Sequence, residues 1–141
     1  MFRVYRCPKN SGETMNRREA RELLMKCIFQ MEVQKEFTKE NAEKFLKDKV
    51  TKQQDSYIEK ILDTLCSNIE AIDEALNKNS RGWPVSRMAK ADLAIARLAV
   101  CEILYIDDVP KAVAINEAVE IAKIYGSEQS PKFINAILKN I

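Results

Sequence analysis

The chain has 141 residues, enough for one domain with a core of its own. Hydrophobic residues at 46% and charged residues at 31% exclude a disordered tail, and a net charge of +2 excludes a protein that grips nucleic acid by bulk charge alone. The absence of histidine excludes Ser–His and Cys–His nucleophile pairs.

Few glycines and prolines among many Ala, Leu, Ile, Glu and Lys predict an all-α chain. Residues 1–14 carry Pro8 and Gly12 without helical period and read as a flexible extension ahead of Met15. They lack the apolar core of a signal peptide, and no uncharged run approaches the roughly 20 residues that cross a bilayer, so a cytoplasmic protein without membrane contact is expected.

In chain order, Asn16 and Glu19 form a capping pair. The helix that follows sets Ala20, Leu23, Leu24, Cys27, Ile28 and Met31 on one face, with Arg17, Arg18 and Arg21 off that stripe. Thr38 caps a short second helix through Ala42, Phe45 and Leu46. Thr51 with Gln54 caps a long third helix, whose stripe runs Ile58, Ile61, Leu62, Leu65, Ile69, Ile72 and Leu76. The run Asn77 to Gly82 is the one convincing break. It divides the domain 15–141 into subdomains 15–80, with three helices, and 81–141, with about four.

Trp83, Pro84, Val85 and Met88 read as a short helical turn with Trp83 plugging the core. Ala91–Tyr105 is apolar nearly all round and belongs at the centre, so its Arg97 calls for an ion pair with Asp92, Glu102 or a neighbouring helix. Next, Val113, Ile115, Ala118, Val119, Ala122 and Ile124 form a stripe that leaves Glu117, Glu120 and Lys123 outside. Gly126 is suited to a left-handed helix stop. Ser130 and Pro131 suit an N-cap and first turn, giving a last helix to about Asn140. The expected fold is about seven helices in two packed bundles.

The cysteines at positions 7, 27, 66 and 101 lack CxxC spacing and read as reduced thiols, most of them buried. Carboxylates and lysines recur at helical spacings that suit solvated faces, and no Gly-rich phosphate loop is present. The chain reads as a non-enzyme without cofactor or metal.

Two regions suit RNA. Arg17, Arg18 and Arg21 lie along one side of the first turns, able to fork onto phosphates, though such a triplet is also an ordinary solvated face. The loop from Gly126 to Ser130 offers small polar groups and backbone N–H donors, with Lys132 and Phe133 just behind for a phosphate and an unstacked base. Phe29 lies off its helix's apolar stripe and reads as an exposed aromatic.

The segments NRREARELLMKCIFQMEV (16–33), DLAIARLAVCEILY (92–105), DVPKAVAINEAVEIAKIYG (108–126) and SPKFINAIL (130–138) resemble the NusB family of bacterial transcription antitermination factors, in the family's order. The resemblance implies a single-stranded boxA-type RNA ligand, NusE (a small-subunit ribosomal protein) as partner, and a link to the RNA polymerase elongation complex in ribosomal RNA transcription. It implicates Arg17, Arg18, Arg21, Ser127, Gln129, Lys132 and Phe133 toward RNA, and Phe29, Val85, Met88 and Asp92 toward NusE. Glu19 stands where the family often has arginine, and Gln129 where it has an acid. Two alternatives stay open: the RNA-binding helical domain of a ribosomal-RNA cytosine methyltransferase, and a homodimeric scaffold.

Overall fold

A computed structural model describes residues 14–141, so the expectation for residues 1–13, Cys7 included, lies outside the described residues. The fold is all-α, as expected, with seven α-helices among the described residues: α1 Arg17–Gln34, α2 Lys39–Leu46, α3 Asp55–Ser67, α4 Ile69–Asn79, α5 Lys90–Tyr105, α6 Lys111–Tyr125 and α7 Ser130–Leu138. Single 3-10 turns at Lys52–Gln54 and Val85–Arg87 precede α3 and α5.

The first two starts follow from their caps. The Asn16 side chain accepts from the Glu19 N–H at 2.8 Å, while the Asn16 N–H donates to Glu19 Oε1 at 2.9 Å. Glu19 thus serves the helix end. Thr38 Oγ1 accepts from the Asn41 N–H at 3.2 Å.

The expected long third helix is two. It breaks at Asn68 (φ −128°, ψ 22°), whose side-chain amide donates to the Thr64 carbonyl at 2.8 Å. The apolar stripe continues across the break because α3 and α4 both pack on α5, so the pattern concealed it. Nor do Thr51 and Gln54 cap α3: Thr51 makes no capping bond, and Gln54 is bonded to Arg17 and Met15 instead. Four helices, not three, therefore precede the expected break, which begins at Ser80 rather than Asn77 because α4 runs on to Asn79.

α5 is the centre. Every residue from Asp92 to Glu102 is buried, and the helix packs against α1, α3, α4, α6 and α7. Arg97 finds the neighbouring-helix partners expected of it. It forks onto Asp73 of α4 at 2.8 Å, reaches Glu32 of α1 at 2.8 Å, and stacks 4.8 Å from the Phe37 ring centroid.

Four expectations for the second half are corrected. Trp83 does not plug the core; it is 45% exposed, with the Arg87 guanidinium 4.8 Å from its ring. On α6 the buried residues are Ala114, Ala118, Ile121 and Ala122, while Val113 and Ile124 face outward, because small residues let α6 lie close to its neighbours. Gly126 ends α6 in extended geometry (φ −95°, ψ −171°) rather than left-handed. A Cβ there would lie 2.5 Å from both Cβ and Oγ of Ser130 and 2.9 Å from the Ala122 carbonyl, so close approach is what demands glycine. Ser130 in turn is the first helical residue of α7, its hydroxyl accepting from the Ser127 N–H at 2.8 Å.

The described cysteines are free thiols. Burial pushes Cys27 and Cys101 up to about 12 and Cys66 up to about 11, so none carries thiolate at neutral pH.

Candidate nucleic-acid interface

The three arginines of α1 share a sequence cluster but not an environment. Arg17 is exposed; its Nε donates to Gln54 Oε1 at 2.9 Å and its guanidinium carbon lies over the Tyr57 ring, 3.9 Å from the centroid. No carboxylate among the described residues pairs with it. Arg18 is exposed but forked onto Glu117 of α6, with Nε–Oε1 at 2.9 Å and Nη2–Oε2 at 2.6 Å.

Arg21, expected off the apolar stripe, is buried. Its Nε and Nη2 grip Glu102 at 3.0 Å each, its Nη1 lies 3.5 Å from Glu117, and the Tyr57 hydroxyl donates to Glu102 at 3.0 Å. Arg21 thus stands behind the two exposed arginines and ties α1 to α5 and α6. Sequence reading missed Gln54, Tyr57, Glu102 and Glu117, which hold this cluster; a buried arginine needs carboxylates, but their long sequence separation gave no local signal.

The α6–α7 candidates divide. Ser127, Gln129 and Lys132 are exposed on the loop and first turn. Lys132 borders a shallow groove between α6 and α7 floored by Ile115, Val119 and Pro131. Phe133, half-buried, faces another groove, lined also by Trp83, Arg87, Met88, Ala89 and Asp92. Residues expected at RNA and at the protein partner therefore meet there. The α1 arginines lie at the far end of α5, beside Glu102; ten residues of helical rise from Asp92 is ~15 Å.

Of the partner candidates, Met88 and Asp92 are buried and Val85 and Phe29 half-buried. The Phe29 ring packs partly on the core rather than standing fully exposed. Asp92 Oδ1 is buried without a hydrogen-bond partner, in the first turn of α5 where the helix N-terminus favours a carboxylate. No group of His, Cys, Asp and Glu that could hold a metal occurs among the described residues, and no helix there is long and apolar enough to cross a membrane.

The fold and site define the class: a small all-α protein built around one buried helix, with arginines on the first turn of its first helix. The NusB family profile matches residues 18–141, and the chain belongs to that family. Transcription antitermination protein NusB of Alkaliphilus oremlandii is 46% identical over 125 residues, 88% of this chain and 91% of that one. The NusB protein of Listeria monocytogenes is 42% identical over 127 residues, covering 90% and 96%. Among solved structures, T. maritima NusB superposes with a TM-score of 0.82 at 31% identity, covering 91% of each chain. A complex of antitermination factors NusB and NusE with double-stranded RNA shares the fold, with a TM-score of 0.77 at 23% identity over 88% and 93% of the two chains.

Proposed function

We propose that this chain is a transcription antitermination factor that binds single-stranded boxA-type RNA together with NusE and links them to the RNA polymerase elongation complex, in support of ribosomal RNA transcription. The observation that carries this reading is the pair of exposed arginines, Arg17 and Arg18, on the first turn of α1 in a chain that matches NusB relatives along nearly its whole length. Arg17 and Arg18 contact phosphate, and Arg21 positions them from behind. Ser127, Gln129 and Lys132 extend the RNA path along the α6–α7 loop, and Phe133 stacks a base. Phe29, Val85, Met88 and Asp92 mark the NusE side. The chain acts in the cytoplasm by binding alone: joining two modest interactions raises the effective concentration of each partner, and no catalytic step is required.

The test titrates a boxA-type RNA and a scrambled strand of equal length against the protein, with and without NusE. The expected result is a preference for boxA that sharpens when NusE is present. Equal affinity for both strands under both conditions overturns the reading. Sizing of the free protein and of the complex separates a NusE-bound monomer from self-association through the same surface.

A further inference from the structure

We infer that Glu117 gates Arg18: RNA phosphate gains Arg18 as a contact only by displacing the Glu117 carboxylate from it. The inference rests on the RNA-binding reading of α1 and adds a residue that sets how much of its charge is available.

The fork edge of Arg18, Nε with Nη2, is the edge that takes a phosphate bidentately, and Glu117 occupies it at 2.9 and 2.6 Å. The two partners are unequally held. The Arg18 side chain is 44% exposed and the Glu117 side chain 14%, so it is the arginine that can swing. Arg21 cannot follow, because Glu102 and Tyr57 hold it in the interior.

Displacement does not strand a bare carboxylate. Glu117 already lies 3.5 Å from Arg21 Nη1, and that contact remains when Arg18 leaves. Across the cluster, Arg17, Arg18 and Arg21 face Glu102 and Glu117, so the closed state offers RNA the equivalent of one cation, Arg17. Opening the Arg18–Glu117 pair adds a second.

The experiment measures boxA-type RNA affinity of the full chain against salt for wild type, Glu117→Gln, Arg18→Ala and the double variant, with Arg17→Ala as reference. Glu117→Gln should tighten binding about threefold at low salt, the factor of a partly exposed ion pair. The slope of log affinity against log salt should stay at the wild-type value, because wild type and variant neutralise the same phosphates once bound, whereas Arg18→Ala should flatten it by about 0.7. The gain from Glu117→Gln should vanish in the Arg18→Ala background. An equal gain in both backgrounds means general charge removal and overturns the gate; weaker binding by Glu117→Gln makes Glu117 a positioning residue and also overturns it.

If Arg17→Ala weakens binding while Glu117→Gln changes nothing, the RNA face stands and the gate falls. If wild type shows no RNA binding, the RNA reading fails and the gate with it. A readout on the wild type is independent of variant folding: the Arg18 Nε–H resonance should shift as RNA is added, and an unmoved signal at saturation counts against the gate.

Discussion

Arg21 and Glu102, 81 residues apart in sequence, meet as a buried fork with two 3.0 Å bonds, and the Tyr57 hydroxyl donates to the same carboxylate. Burial pushes the Tyr57 phenol well above its ordinary range, so it stays protonated as a donor. The fork carries stability, whereas Arg18–Glu117, open to water on the arginine side, carries little.

Truncating the two arginines should therefore separate folding from binding. Arg21→Ala leaves Glu102 buried with its charge uncompensated and should cost on the order of 3–5 kcal/mol in urea unfolding. Arg18→Ala should cost less than about 1 kcal/mol. Comparable losses for the two variants refute this division.

Trp83, the sole tryptophan, gives a direct optical check on its corrected position. Acrylamide should quench its native fluorescence almost as efficiently as in the urea-unfolded chain, and Trp83→Ala should leave the melting temperature within a few degrees. A native spectrum shielded from quencher would return Trp83 to the core.

Gly126→Ala should destabilise by about 1–3 kcal/mol, the range for forcing extra atoms into a packed site, because its Cβ meets Ser130 at 2.5 Å. Since the backbone there is extended rather than left-handed, Ser130→Gly should restore part of that loss. Absence of rescue would move the cause to the Ala122 carbonyl.

Two carboxylates fix the acid response. The Arg18 hydrogen bond holds the Glu117 carboxyl below its ordinary range. At Glu32, burial pushes upward, but hydrogen bonds from Lys35 and Arg97 outweigh it and the carboxyl is lowered. A depressed folded-state value means that stability is complete above the unfolded carboxylate range, ~4.3, and is lost as pH falls through the lower folded value. Melting temperature should hold steady near neutrality and drop below about pH 4, with a shallower acid limb for Glu32→Gln; a midpoint that climbs on acidification contradicts the assignment.

The central role of Ala91–Tyr105, the Asn16–Glu19 cap and the inter-helix pairing of Arg97 were legible because each follows from local pattern or from the cost of a buried charge. The Asn68 break was not, since Leu65, Ile69, Ile72 and Leu76 stay in phase across it. Arg21 was misplaced for a different reason: a guanidinium off the apolar stripe reads as solvated until its distant carboxylate partners are known. Trp83 failed through volume alone, as a large aromatic is a good core filler only where a neighbour leaves room. On α6 the alanines, weak in hydrophobic pattern, proved to be the packing face.

The burial of α5 on every side has a consequence for synthesis. Helices α1 to α4 leave the ribosome before the helix that covers their apolar faces, and α5 waits in turn for α6 and α7. Nascent chains halted near Ser80 should thus remain protease-sensitive and bind hydrophobic dye, whereas the released full chain closes as one unit. The apparent division at Asn77–Gly82 marks a pause in the sequence pattern, and a chain cut there should not yield a stable half.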